Sequence, residues 1–300
     1  MMLDIRHLQV RYGRRPGDRT DHRAVLRDFT PRPLQAGQLI AVLGPNGSGK
    51  TTLLKALAGQ APVSRPAVSP GMRQRAEAPD APASFSPQVL FKAAGDAPVD
   101  LLRLNPEARA RRVAYLPQSL PPAVPLRVLE SLLVADWQRG RGPGGRAASF
   151  AASRQILTQL AIHDLAMRPL DTLSGGQRQL VGIAQVLVRH TPILLLDEPL
   201  SALDLRRQVQ VLHLLARETR ERQCLTLVVL HDLNVALQHA HACLLLQQGR
   251  LVAQGQPEAV ITPATLAAVW GVDARVERCS RGIPRVWVDG PSCDKVGPPS

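Results

Sequence analysis

Short apolar runs, each closed by glycine or by charged and polar residues, recur along this chain. Leu39-Ile40-Ala41-Val42-Leu43 is apolar throughout, ends at Gly44, and is followed by the helical pattern Thr52-Leu53-Leu54-Lys55-Ala56-Leu57-Ala58. That order predicts strand, loop, helix. Ile193–Leu196 and Leu225–Leu230 are two further runs of the same kind. Strands buried on both faces of a parallel sheet lose the polar alternation, and helices between them cover the faces. Residues 3–12 alternate instead, Leu3-Asp4-Ile5-Arg6-His7-Leu8-Gln9-Val10, which predicts one half-buried strand. Residues 126–170 read mainly as helices set apart from the sheet. The expected class is α/β.

Proline and glycine mark the breaks. Residues 60–88 carry Ala61-Pro62, Arg65-Pro66, Ser69-Pro70-Gly71, Ala78-Pro79, Ala81-Pro82 and Ser86-Pro87, which predicts an exposed, partly disordered insertion. Arg139–Arg146 is a second flexible break, and Val276–Ser300 reads as a tail of turn formers. No apolar run approaches the ~18 residues of a membrane helix. The start, Met1-Met2-Leu3-Asp4-Ile5-Arg6, lacks the apolar stretch of a signal peptide.

The chain has 300 residues, 45% of them hydrophobic, enough for a substantial core. A net charge of +13 raises the question of nucleic acid. Only four of the 37 basic residues are lysines, the arginines are spread out, and aromatics are 3%. No dense basic run interleaves with aromatics, so nucleic-acid binding is not expected. Cys224 and Cys243 lie in apolar runs and read as buried thiols, whereas Cys279 and Cys293 lie in the tail and are candidates for reactivity.

Gly44-Pro45-Asn46-Gly47-Ser48-Gly49-Lys50-Thr51-Thr52 fits the phosphate-loop pattern in full, between a predicted strand and helix. Its backbone N–H groups close around phosphates, Lys50 reaches the β- and γ-phosphates, and the Thr51 hydroxyl ligates magnesium. Asp197-Glu198 ends a predicted strand, where carboxylates meet the ligand crevice. Asp197 is the candidate magnesium carboxylate and Glu198 the candidate base for water, a role typically worth ~10²–10⁴-fold. Gln118 and His231 follow strands and are weak signals alone. Gln118 offers an oxygen to magnesium or water, and His231 a contact to the γ-phosphate. Tyr12 is a candidate to stack on adenine. Ser174-Gly175-Gly176-Gln177 opens a helix as a second anion-binding terminus. One ATP does not need two such elements from one chain, so each copy is expected to lend this one to the ATP of another.

Taken together, these residues resemble the nucleotide-binding subunit of ATP-binding cassette (ABC) transporters. The order matches from Tyr12 through the phosphate loop, Gln118, the signature Leu173–Gln179, Asp197-Glu198, Ser201-Ala202-Leu203-Asp204 and His231, over roughly residues 3–272. The resemblance implies an α/β fold: a P-loop NTPase core with a mainly parallel sheet, an N-terminal antiparallel β subdomain, and an inserted helical subdomain over 120–172, followed by a tail at 273–300. It implies ATP and Mg2+ as cofactors, a homodimer with Asp204 at the shared site, Gln118 in the loop that couples to transmembrane permease subunits, and His231 as the switch histidine. It places the protein at the cytoplasmic face of the membrane. A periplasmic or lipid-anchored binding protein would be an indirect partner.

His231-Asp232-Leu233-Asn234, Asn105–Gln118 and the stretch Gly255-Gln256-Pro257 to Val272 are similar to importers of iron chelates, haem and cobalamin. The expectation is therefore an importer of an iron complex, a ferric siderophore or haem. The alternatives are an importer of cobalamin or another cargo, and a soluble ribosome- or nucleic-acid-associated ATPase. Gln185 stands where the family often has arginine, and residues 136–146 lack wording common in iron-chelate members.

Overall fold

The computed structural model describes residues 1–12, 24–64, 86–93, 95–120, 124–137 and 145–292. Most of the proline-rich insertion, most of the Arg139–Arg146 break, and Cys293 lie outside the described residues. The chain begins with strands β1 (Met2–Arg6), β2 (Leu8–Arg11), β3 (Ala24–Phe29), β4 (Leu34–Gln35) and β5 (Leu39–Leu43). Helix α1 (Lys50–Leu57), strands β6 (Gln88–Lys92) and β7 (Val99–Asp100), helix α2 (Pro106–Ala110) and strand β8 (Val113–Leu116) follow. Three helices come next, α3 (Val128–Trp137), α4 (Gly145–Gln159) and α5 (Gly175–Val188). Then β9 (Ile193–Leu196), α6 (Leu205–Glu221), β10 (Leu225–Val229), α7 (Leu233–His239), β11 (Ala242–Gln247) and β12 (Arg250–Gly255) alternate. The described chain closes with α8 (Pro257–Val260), α9 (Pro263–Trp270), β13 (Val272–Arg278) and β14 (Pro284–Pro291).

The central sheet has the order β12-β11-β5-β10-β9-β8, parallel except for β12 against β11. Its strands divide their side chains between two cores. Leu39, Ala41 and Leu43 of β5 enter one core with α5 and α6, while Ile40 and Val42 enter the other with α1 and the N-terminal strands. β9 does the same, Leu194 and Leu196 against Ile193 and Leu195. Both faces are covered, which is why the sequence shows unbroken apolar runs there. An antiparallel sheet β4-β1-β6-β7 and the pair β2-β3 form the N-terminal layer. The mainly parallel α/β core with an antiparallel N-terminal layer is the class expected from the sequence.

Two expectations are corrected. The alternating stretch 3–12 is not one half-buried strand. His7 takes φ +51°, and the chain leaves β1 in one sheet to enter β2 in another. Asp4 and Gln9 are buried along with their apolar neighbours, because both sides of this layer are covered. The stretch expected as a tail is ordered over much of its length. β13 and β14 form an antiparallel hairpin whose Val272, Ala274, Val276 and Val286 pack on the main core. Asn234 of α7 holds it, accepting from the Val286 N–H at 2.7 Å and donating to the Val286 carbonyl at 3.4 Å.

Candidate functional site

Four parallel strands deliver the candidate residues at their carboxyl ends. β5 runs into Gly44, β8 into Pro117-Gln118, β9 into Asp197-Glu198, and β10 into Leu230-His231. Because these strands are neighbours, their ends share one edge of the sheet, where α/β proteins bind ligands. A cavity of about 460 Å³ lies there, lined by Asn46–Thr52, Gln118, Glu198, His231 and Val25.

The loop that forms its floor fits an anion. α1 starts behind Gly49, which provides no side-chain cap, so the first N–H groups of the helix lack an internal partner. The Ser48 hydroxyl is buried and has no hydrogen-bond partner. A buried polar group costs free energy until something satisfies it, and an anion's oxygens are chemically suited to do so. Lys50 is 6% exposed. Its ammonium donates to the carbonyls of Gly44 (2.8 Å) and Pro45 (3.0 Å), folded back over its own loop. Burial pushes its pKa down, while Glu198 and Asp197 pull it up.

Asp197 is fully buried. Its two carboxylate oxygens accept from the Thr51 hydroxyl at 3.1 Å and the Tyr115 phenol at 3.3 Å. Burial raises its pKa and the adjoining Glu198 adds to that; the two hydroxyl donors work against it. Glu198 takes φ +51°, a left-handed conformation that costs a non-glycine residue of order 1–3 kcal/mol. Its Oε1 sits 2.6 Å from His231 Nε2 at the cavity rim. Among the described residues no three His, Cys, Asp or Glu side chains cluster to hold a metal. The oxygens of Thr51, Asp197 and Gln118 suit an ion that takes few protein ligands and completes its shell with phosphates and water, as magnesium does.

The other sequence-stated candidates lie elsewhere. Tyr12, 42% exposed at the end of β2, is not on the cavity wall, where the apolar side chain is Val25. Ser174-Gly175-Gly176-Gln177 opens α5 in a reciprocal cap: Ser174 Oγ accepts from Gln177 N–H at 3.3 Å, and Gln177 Oε1 from Ser174 N–H at 3.0 Å. None of these four lines the cavity. Asp204 caps α6, accepting from Arg207 N–H at 2.8 Å, and Leu203 is buried in its own chain. Sequence reasoning passed over Tyr115, Val25 and the turn at Gly249. Tyr115 lies three residues before Gln118 in a strand ending at the site, and Gly249 lies in the Gln248-Gly249 turn; those placements were the available signals.

Comparison with known proteins agrees with this geometry. The family model for ABC transporters matches residues 32–201. The hemin import ATP-binding protein HmuV of Hahella chejuensis is 37% identical over 250 residues, 81% of this chain and 86% of the relative. Its counterpart of the same name in Burkholderia cenocepacia is 33% identical over 304 residues, 96% of this chain and 99% of the relative. Among solved structures, an inward-facing metal-chelate type ABC transporter superposes with TM-score 0.70 at 22% identity, covering 96% of each chain. A dimeric ATP-binding cassette bound to ADP and Pi superposes with TM-score 0.68 at 20% identity, covering 85% of this chain and 98% of that one.

Proposed function

This chain belongs to the ABC transporter family, and from that premise we propose that it is the ATP-hydrolysing subunit of an importer for an iron complex, haem before ferric siderophore. The observation that carries the ATPase reading is the union of Lys50, Thr51, Gln118, Glu198 and His231 around one cavity. The preference for haem rests on the relatives named for hemin import.

In this reading the ammonium of Lys50 exchanges two loop carbonyls for β- and γ-phosphate oxygens, and the Ser48 hydroxyl and the N-terminus of α1 take others. Thr51 and Asp197, with Gln118, hold magnesium, which neutralises charge on the phosphates when bound. Glu198 orients and deprotonates the attacking water. His231 fixes the Glu198 carboxylate before nucleotide arrives and contacts the γ-phosphate afterwards. Catalysis is mainly positioning and electrostatics. Ser174, Gly175, Gly176 and Gln177, outside the cavity of their own chain, serve the ATP of a second copy, with Asp204 beside them; Tyr12 closes on the base only with nucleotide present. No helix among the described residues is long and apolar enough to cross a membrane. The chain works at the cytoplasmic face, docked on permease subunits. The exposed Val134, Trp137, Phe150 and Met167 of the helical region support that docking.

The catalytic assignment is tested with Glu198→Gln in the assembled transporter. Hydrolysis falls by about 10²-fold or more while ATP binding persists; hydrolysis at the parental rate refutes the base assignment. The cargo is tested by uptake of labelled hemin, ferric siderophore and cobalamin in a strain lacking this chain. Loss of hemin uptake alone supports haem.

A further inference from the structure

The carboxylate of Asp197 is held from two elements at once. Thr51, on α1, donates to Oδ1, and Tyr115, on β8, donates to Oδ2. β8 and β9 are neighbouring parallel strands, with Leu116 opposite Leu196, and the Asp197 N–H is spent on the Leu116 carbonyl at 2.9 Å. The aspartate therefore has no donor of its own to turn inward. It is fully buried, and a buried carboxylate without donors is costly. Thr51 is itself expected to give its oxygen to the ion. Tyr115 is the donor of the two with no second task.

We propose that Tyr115 is a positioning residue for the metal carboxylate: its phenol pins Oδ2 of Asp197, so that Oδ1 stays turned to the Thr51 side, where a divalent cation is met. This rests on the reading of Asp197 as the metal-holding carboxylate. A carboxylate free to rotate about its last bond presents the wrong oxygen part of the time. Hydrogen-bond partners that orient a metal ligand are typically worth about 10–100-fold in metal affinity. Tyr115 is half-buried, and its ring also packs on the core beneath the phosphate loop, so the phenol oxygen alone must be removed to separate the two roles.

Tyr115→Phe removes that oxygen and keeps the ring. The probe is Mn2+, titrated by electron paramagnetic resonance against the full chain with saturating ADP, beside ATP binding measured in EDTA and the melting temperature. The expected result is a roughly 10-fold weaker Mn2+ affinity, with metal-free ATP affinity unchanged. Unchanged or tighter Mn2+ binding overturns the proposal. So does a parallel loss of Mn2+ and metal-free ATP affinity, which assigns Tyr115 to packing of the pocket. Asp197→Asn separates this from the underlying reading. If that variant binds Mn2+ like the parent, Asp197 is not the metal carboxylate. If it loses Mn2+ while Tyr115→Phe does not, only the role of Tyr115 fails.

Discussion

Replacing Gly249 by alanine places a methyl carbon 2.2 Å from the carbonyl oxygen of Val25, at a backbone φ of +78°. Two hydrogen bonds meet at this residue. Its N–H donates to the Ser48 carbonyl at 2.9 Å, and its carbonyl accepts from Arg27 N–H at 2.8 Å. The turn between β11 and β12 thus buttresses the phosphate loop from behind. Neither neighbour is a flexible side-chain end, so relief requires the turn to withdraw and both bonds to stretch or break. The left-handed backbone costs alanine about 1–2 kcal/mol. Two lost bonds add roughly 1 kcal/mol each, for a total of about 3–4 kcal/mol. Gly271 provides the control. Its φ is +68°, but nothing lies within 4 Å of an added methyl, so Gly271→Ala bears the backbone term alone. Thermal melts of the nucleotide-free protein should place Gly249→Ala at least about 4 °C below Gly271→Ala, since ~2 kcal/mol of extra loss moves a domain of this size by 4–8 °C. ATP affinity in EDTA should fall for Gly249→Ala only. Equal melting temperatures, within about 2 °C, with equal ATP affinity would refute the buttress.

Ser174→Arg should leave ATP binding to the phosphate loop intact and abolish ATP-dependent dimerisation, read by light scattering of a hydrolysis-deficient background; dimerisation at the parental level argues against a shared site. Thiol labelling should separate the cysteines. Burial pushes the Cys243 thiol up to about 12 and raises that of Cys224, while backbone N–H groups of Arg281 and Ile283 lower that of the partly exposed Cys279. In a Cys293→Ser background at neutral pH, maleimide should modify Cys279 at least roughly tenfold faster than the other two. Asn234→Ala removes the amide that grips both polar groups of Val286, a loss of about 1–2 kcal/mol that should speed amide exchange at Val286 some tenfold; unchanged exchange means the hairpin is held by its apolar contacts alone.

The strands that build the site were legible because each is buried on both faces and ends abruptly in polar residues. β5, β9 and β10 show this plainly. The break at His7 was overlooked although the pattern slips there: Arg6 and His7 are consecutive polar residues, and the apolar positions pass from 3 and 5 to 8 and 10, where the positive φ changes sheet. The C-terminal hairpin was partly legible. Val272-Asp273-Ala274-Arg275-Val276-Glu277 alternates, with Arg275 paired to Asp289 and Glu277 on the outer face, but the turn formers around Gly282 and Pro284 obscured it. The phosphate loop was legible because its residues are contiguous. The Glu198–His231 contact was not: the two are far apart in sequence and meet only because β9 and β10 are adjacent. Tyr115 was missed for a similar reason. Its partner lies on the next strand, and nothing local in Val113–Leu116 marks its phenol as polar machinery.

Close packing ties the signature helix to the cavity that it does not line. At Gly182, midway along α5, an added methyl would lie 2.8 Å from a methyl of Leu116 and 3.0 Å from one of Leu120. Those two leucines bracket Gln118, which does line the cavity. At the helix N-terminus, a methyl on Gly176 would lie 2.9 Å from the Ala202 carbonyl, in the segment that leads to Asp204. Helix α5 thus packs closely at both points, against movable leucine methyls at Gly182 and against backbone at Gly176. Interiors packed this tightly shift as bodies. Leu116 and Leu120, on either side of Gln118, rest on α5, and the N-terminus of α5 rests on the Ala202 carbonyl ahead of the cap of α6. The signature helix is thus in packing contact with residues that flank the phosphate cavity of its own chain. Ser174 and Gly175, at its start, are exposed, as the proposed sharing with a second copy requires.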